Sequence, residues 1–130
     1  MRNSAHFPLL LAIALLAVVL VSCRREPTPR QAAEQFYGYL CKGDVDAYMQ
    51  SMADYDSLPA PYRSELRDMF LQYLQREQQL RQGILSAQAV RDTLVSDRLC
   101  HVFLLVTYGD STQEQVSLPL VLTDRGWRMK

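Results

Sequence analysis

The fold prediction rests on one run of sequence, LCHVFLLVTY at residues 99–108. Only His101 and Thr107 interrupt its apolar side chains, which is typical of a strand buried on both faces. The run therefore predicts a central β-strand, covered on two sides, with a turn at Ser96-Asp97 before it and at Gly109-Asp110-Ser111 after it.

Three further strands are predicted around this central strand. Residues 84–95 alternate loosely between apolar and polar side chains, and residues 113–122 form a second candidate strand of similar length. A turn at Asp124-Arg125-Gly126 leads into a short last strand, residues 127–130. Pro119 cannot donate a ladder hydrogen bond, so its position predicts an edge strand or a bulge.

Upstream of residue 84 the periodicity becomes helical. Thr28 is a candidate N-cap, with Pro29 at the first helical position and Gln31 placed to close a capping box. Gly43 ends this helix, because glycine adopts the left-handed conformation without penalty, and Asp44 is placed to cap a second, short helix. The apolar face of the first helix is Ala32, Ala33, Phe36, Tyr37 and Leu40.

A third, long helix is predicted over residues 62–82, after the breaker stretch at residues 54–61. Its apolar stripe is Tyr62, Leu66, Met69, Phe70, Tyr73, Leu74 and Leu80. Helices in the first half and strands in the second predict an α+β fold, with helices packed against an antiparallel sheet.

Length and charge limit the function further. The chain has 130 residues, which supports one compact domain. Its 14 Lys and Arg balance 14 Asp and Glu, and without a basic excess we expect no nucleic-acid partner. Its 3 cysteines are too few for a scaffold built from disulfides.

The first residues are typical of a secretory signal peptide. Arg2 supplies positive charge, and residues 9–21 contain no polar side chain. A membrane-spanning helix needs roughly 20 apolar residues, more than this run offers, so the pattern favours a cleaved signal over a retained span.

The end of this segment, Leu20-Val21-Ser22-Cys23, resembles the lipobox of bacterial lipoproteins. The resemblance implies that residues 1–22 are removed and that Cys23 carries the lipid anchor, which holds the protein on a membrane. Residues 23–27 are then a short tether and residues 28–130 the domain. In some lipoproteins an acidic run just after the cysteine directs export to the outer face. Arg24 and Arg25 stand at that place in this chain, so we expect a periplasm-facing position in the bacterial cell envelope.

The order of elements resembles the NTF2-like superfamily, also called cystatin-like or SnoaL-like. The residues that carry the resemblance are the phrase Lys42-Gly43-Asp44-Val45-Asp46-Ala47 after the first helix and the late Gly126-Trp127-Arg128. Within that superfamily the chain resembles the small lipoprotein domains of the DUF4878 type. The resemblance implies a curved antiparallel sheet wrapped around the helices, a cone-shaped cavity, and pairing of two copies through the exposed sheet face.

Enzymes of the superfamily place an acid or base inside the cone. His101, on a strand among apolar neighbours, is the candidate base for an isomerase-like or cyclase-like enzyme. No carboxylate stands at a sequence spacing from His101 that indicates a catalytic pair. A lone histidine on a strand is more often a packing or surface residue. We therefore expect a domain that is not an enzyme and that binds a small ligand or an envelope protein, with a purely structural dimer as a third hypothesis.

Cys41 and Cys100 remain in the domain once Cys23 is lipidated. An oxidising envelope permits a disulfide between them, but the demanding geometry of a bridge favours two buried thiols. No cluster of cysteine and histidine is present, and His6 is lost with the signal, so we expect neither a metal nor another cofactor. The 7 tyrosines suit a ligand cavity, an interface or an ordinary core.

Overall fold

The computed structural model describes residues 26–130. The predictions of a signal peptide over residues 1–22 and of a lipidated Cys23 lie outside the described residues. The elements are helices α1 (Pro29–Cys41), α2 (Val45–Gln50) and α3 (Ala60–Arg81), a 3₁₀ turn (Tyr55–Ser57), and strands β1 (Ile84–Ser96), β2 (Leu99–Tyr108), β3 (Gln113–Thr123) and β4 (Gly126–Met129).

The start and end of α1 follow from local hydrogen bonds. The Gln31 N–H donates to Thr28 Oγ1 at 3.2 Å, and the Thr28 N–H donates to Gln31 Oε1 at 3.0 Å, which completes the predicted capping box. Gly43 leaves the helix with a φ of 75°, and the Ala47 N–H donates to Asp44 Oδ1 at the start of α2. The five residues predicted for the apolar face of α1 are all buried.

Helix α3 spans 22 residues and buries none of them. Phe70, Tyr73 and Leu74 of the predicted stripe pack partly against the core, whereas Tyr62, Met69 and Leu80 are exposed. The helix covers the core along one short stretch only, so most of its predicted stripe has no partner. Within residues 26–130, no helix is both long and apolar enough to cross a bilayer.

The sheet is an antiparallel meander in the order β1-β2-β3-β4, which confirms the α+β prediction. At its centre Leu104 pairs with Ala89 on β1 and with Val116 on β3. Side chains alternate between the two faces of a strand, and the alternate residues Cys100, Val102, Leu104, Val106 and Tyr108 of β2 are buried against the helices.

The predicted cover on both sides of β2 is wrong. The outer face of the sheet, which we define by Leu99, His101, Phe103, Leu105 and Thr107, is half-buried, and none of these residues joins the core cluster of the described chain. Apolar outer residues are shielded by neighbours on the same face, as when the Arg91 guanidinium lies 4.2 Å from the centre of the Phe103 ring. The apolar run therefore reflects one core face and one partly shielded surface.

Pro119 marks neither an edge strand nor a bulge, because β3 lies between β2 and β4 and Pro119 pairs with His101 in an unshifted register. The main-chain oxygen of Pro119 accepts a hydrogen bond from Lys130, one residue past the end of β4. The nitrogen of a strand residue points the same way as its oxygen, so the missing N–H faces the end of the short strand β4. Proline is tolerated because the ladder ends beside it.

The other side of β4 meets the segment that follows α2. The Met129 N–H donates to the Ser51 oxygen at 3.0 Å, and the Ala53 N–H donates to the Met129 oxygen at 2.8 Å. Met52 thereby forms a parallel bridge with Met129. This contact joins the helical half of the chain to the far strand of the sheet.

Candidate functional site

A cleft of about 470 Å³ opens between the helices and β3. We call it the tyrosine cleft, because tyrosines from three different helices line it. Helix α1 supplies Tyr37 and Leu40, α2 supplies Tyr48, and β3 supplies Val116, Ser117 and Leu118. The outer wall belongs to α3, which contributes Met69, Phe70, Gln72, Tyr73 and Arg76.

Helical spacing positions these side chains. Tyr37 and Leu40 are three residues apart on the buried face of α1, and Phe70 and Tyr73 repeat that spacing on α3. The Tyr48 and Phe70 rings meet edge to face, with their centres 5.1 Å apart and their planes at 80°. An ion pair of 2.9 Å between Arg67 Nε and Asp46 Oδ1 links the same two helices at the surface.

The buried tyrosines keep their hydroxyl protons. Burial, together with the neighbouring Tyr73 hydroxyl, raises the pKa of Tyr37 far above its ordinary value. Burial followed by the effect of Tyr73 raises the pKa of Tyr48 to about 12. At any physiological pH these groups are neutral and can both donate and accept hydrogen bonds.

A polar network adjoins the cleft where α3 meets the sheet. The Tyr108 hydroxyl donates to Glu114 Oε2 at 2.6 Å, and Arg81 Nη1 lies 3.2 Å from the same oxygen. The Arg81 guanidinium also lies 4.4 Å from the centre of the Tyr108 ring. The hydrogen bond from Tyr108, followed by the charge of Arg81, holds the pKa of Glu114 below its ordinary value.

Backbone geometry fixes the same junction. Gln82 ends α3 with a φ of 62°, and the main chain returns to the sheet through a hydrogen bond from Gly109 to the Gly83 oxygen. A Cβ on Gly109 would collide with the main-chain oxygen of Gln82. Glycine at position 109 therefore lets the end of α3 approach the turn between β2 and β3.

The lining of the tyrosine cleft supplies apolar surface and a few hydrogen-bonding groups. Its lining, drawn from residues 37–118, contains no histidine, cysteine, lysine, aspartate or glutamate. Arg76 is its one charged residue, and tyrosine hydroxyls, the Gln72 amide and the Ser117 hydroxyl supply hydrogen-bonding groups. Such a lining can hold an apolar or aromatic body and orient one polar or anionic group.

His101 lies away from this cleft. It belongs to the outer face of the sheet, where it stands between Thr93 on β1 and Pro119 on β3. The tyrosine cleft opens on the opposite, helix-covered face of the sheet. The structure thus does not bring the candidate base together with the pocket in which a superfamily enzyme would need it.

Cys41 and Cys100 are free thiols in the structure. Cys100 is buried in β2 and Cys41 is half-buried at the end of α1. Burial raises the pKa of both thiols, which makes them poor nucleophiles. Residues 26–130 contain no group of three or more metal-ligating side chains.

The sequence pointed to tyrosines in general without selecting the ones that line the cleft. Tyr37, Tyr48 and Tyr73 line it and Tyr108 adjoins it, whereas Tyr39, Tyr55 and Tyr62 lie elsewhere. Tyr37 and Tyr73 could have been selected because they fall on the predicted apolar faces of α1 and α3. No signal in the sequence identifies Val116 and Ser117, which line the cleft only because of how β3 pairs with β2.

The fold was compared with known proteins. A solved structure from Campylobacter jejuni, provisionally named an NTF2-like transpeptidase, aligns with a TM-score of 0.62 at 17% sequence identity. The alignment covers 79% of this chain and 97% of that chain. No family model matches the sequence, and no curated protein does so. At this identity the likeness concerns the fold.

Proposed function

We propose that this chain, which has the NTF2-like fold, is a lipid-anchored protein of the bacterial cell envelope whose domain binds a small ligand without catalysing a reaction. The observation that carries the proposal is the tyrosine cleft, which combines an apolar floor and neutral hydroxyls with no acid–base set. We also propose, from the sequence resemblance, that the chain belongs to the DUF4878 type.

The lining defines the class of ligand. Apolar and aromatic side chains favour a ring or a short aliphatic body, whose burial contributes roughly 25 cal/mol per Å². Arg76 at the rim favours an anionic group on that body, and the buried hydroxyls of Tyr37 and Tyr48 favour hydrogen-bonding atoms deeper in the cleft. We infer a small aromatic or aliphatic acid.

The chemistry of the cleft also supports a role outside catalysis. The Campylobacter jejuni protein is named a transpeptidase, an activity that needs an activated nucleophile. Ser117 is the one serine in the lining, and no histidine, lysine or carboxylate lines the cleft beside it to accept its proton. The alternative of an isomerase-like or cyclase-like enzyme using His101 would need a second pocket on the outer face of the sheet.

A fluorescent probe tests the ligand proposal. The full chain, kept in detergent micelles, is titrated with 1-anilinonaphthalene-8-sulfonate, an aromatic body that carries one anionic group. We expect saturable binding that Val116→Phe, which narrows the cleft, weakens at least fivefold. Tyr62→Phe is the matched control on the exposed part of α3 and should bind as the parent does. Equal binding by the parent and Val116→Phe would overturn the proposal.

Anchoring is tested separately. Lipidation at Cys23 should give a native product that lacks residues 1–22 and is heavier than its peptide mass by its acyl groups, as measured by mass spectrometry. Cys23→Ser should leave the chain unprocessed and without fatty acid. Cys41→Ser is the control that keeps the anchor. A native product that begins at Met1 and carries no acyl group contradicts the lipoprotein proposal.

We also propose pairing of two copies through the outer face of the sheet. Leu99, Phe103 and Leu105 are apolar and half-buried there, so a second copy would cover them. Phe103→Glu should shift the sedimentation of the full chain to that of a single copy. If the parent already sediments as a single copy, the pairing proposal fails while the ligand proposal stands.

A further inference from the structure

A second cleft, of about 360 Å³, is lined by other residues of α1 and α2 than the tyrosine cleft and reaches β4 instead of β3. We call it the β4-edge cleft, because residues 125–128 form one of its walls. Helix α1 forms the floor with Ala32, Gln35, Phe36 and Tyr39, and the end of α2 forms the opposite wall with Ala47, Gln50 and Ser51. Glu26 and Pro27 lie at its mouth.

Main-chain groups of β4 are available in this cleft. The N–H and oxygen of Met129 point away from β3, since both bond to the segment of residues 51–53. Alternation along a strand directs the N–H and oxygen of Trp127 to the same side. No main-chain partner within residues 26–130 reaches those two groups of Trp127, so they face the cleft unpaired.

The open edge is short and closed at one end. The bridge between Met52 and Met129 occupies the edge immediately beyond Arg128. An extended chain that pairs with Trp127 has no room to continue past that bridge. A guest strand must therefore end there, which selects the terminus of a chain over an internal segment.

The charge of Arg128 indicates which terminus of the guest chain binds there. Arg128 lies beside the closed end and forms no ion pair with another described residue, whereas Arg125 is paired with Asp56 at 3.6 Å. Arg128 Nε is buried without a hydrogen-bond acceptor, although its guanidinium is 5.9 Å from the centre of the Phe36 ring. An unpaired, half-buried cation is costly unless a counter-charge arrives.

The opposite end of the cleft carries negative charge. Glu26 Oε2 lies 3.7 Å from the position that a Cβ would take on Gly126, at the start of β4. The charge of the cleft is therefore asymmetric, with a cation at the closed end and a carboxylate at the mouth. An entering carboxylate is repelled at the Glu26 end and attracted at the Arg128 end.

We propose that the β4-edge cleft binds the last two or three residues of a peptide, with its terminal carboxylate on Arg128 and its main chain paired with Trp127. The pairing extends the sheet by a short guest strand, and the carboxylate completes the ion pair that Arg128 lacks. Gln35 and Gln50, both exposed in the lining, supply amide groups for the remaining polar atoms of the peptide.

The chain supplies its own reporter. Trp127 is the single tryptophan in the sequence and lines the cleft, so its fluorescence responds to occupancy. The full chain in micelles is titrated with acetyl-Ala-Val-Thr-Val as the free acid and, in parallel, as its amide. We expect a saturable change in Trp127 emission with the acid and an affinity at least tenfold lower for the amide. Equal affinities overturn the proposal.

Two variants locate the interaction. Arg128→Gln should weaken binding of the free acid at least tenfold and leave the weak binding of the amide unchanged. Arg91→Gln is the matched control, because Arg91 also lies over an aromatic ring but on the outer face of the sheet. It should bind the acid as the parent does.

A third variant guards against a folding defect in Arg128→Gln. Gln50→Glu places a like charge in the lining at an exposed position and should also weaken binding of the acid, by at least fivefold. Methylation of the nitrogen on the penultimate residue of the peptide should weaken binding too, because it removes a main-chain donor. Unchanged affinity in both protein variants overturns the proposal.

Discussion

Two regions of the molecule differ in how much they bury. One is the sheet together with α1, and the other is the long helix α3. Val102, Leu104, Val106 and Leu120 on the inner face of the sheet are 0% exposed, and α1 buries five residues against that face. Helix α3 is longer than α1, yet none of its residues is buried. We therefore call the sheet with α1 the scaffold, because it provides most of the stability of the fold. We call α3 the wall, because it closes the tyrosine cleft.

The contrast has a physical origin in the sequence of α3. Polar residues interrupt its apolar stripe on the flanks, and its contacts with the core are limited to Phe70, Tyr73 and Leu74. Polar contacts also join it to the rest of the domain, Arg67 in its first half with Asp46 and Arg81 at its last residue with Glu114. Exposed ion pairs of this kind contribute little, so α3 can open locally while the sheet remains folded.

The largest effect should come from the scaffold. Leu104→Ala removes a fully buried side chain from the centre of β2 and leaves a cavity. We expect a loss of about 2–5 kcal/mol in the free energy of unfolding, measured by urea denaturation. A loss below about 1 kcal/mol would mean that the inner face of the sheet is not the stabilising core.

The next largest effect should be a loss of stability at alkaline pH, caused by Tyr48 in the tyrosine cleft. The pKa of Tyr48 is about 12 in the folded chain against 10.0 for an ordinary tyrosine, so folding favours the protonated form. Its contribution to stability is complete below about pH 10 and is lost as pH rises to about 12, with a slope of up to about 1.4 kcal/mol per pH unit. Tyr48→Phe should make the unfolding free energy less dependent on pH in that interval, and an unaltered dependence would contradict the burial of this hydroxyl.

A smaller effect is expected at the start of α1. Thr28→Ala removes the side-chain oxygen that accepts from the Gln31 N–H. We expect a loss of about 1 kcal/mol in urea denaturation, and Thr28→Ser should restore most of it. Serine that performs no better than alanine would show that the hydroxyl does not hold this cap.

The smallest effect should come from α3. Met69 is 62% exposed, so Met69→Ala should change the free energy of unfolding by no more than about 0.5 kcal/mol. Hydrogen exchange should likewise be faster in the amides of α3 than in those of β2. A loss of 2 kcal/mol or more, on the order expected for a core residue, would erase the distinction between scaffold and wall.

The sequence predicted local features well where local chemistry determines them. The capping box at Thr28, the glycine end at Gly43 and the Asp44 cap all formed as predicted, because each depends on neighbours three or four residues away. The predicted start of α3 was two residues late, since Pro61 is accepted in its first turn and Pro59 stands directly before it as the N-cap residue.

Features that depend on pairing between distant segments were harder to predict. The apolar run of β2 indicated burial on both faces, but its outer residues are shielded only partly by side chains such as Arg91. Pro119 indicated an edge, and only the length of β4 explains why it fits an inner strand. Both clefts arise where non-adjacent elements meet, so neither has a signature in any one segment.

The most direct test of the central claim is an NMR titration of the ¹⁵N-labelled full chain with 1-anilinonaphthalene-8-sulfonate in micelles. A ligand held in the tyrosine cleft should shift the amide signals of Phe70, Tyr73, Val116 and Leu118 in a saturable way. The signals of His101 and Phe103 on the outer face should stay in place. Shifts that gather at His101 and Phe103 and spare α3 would contradict the account.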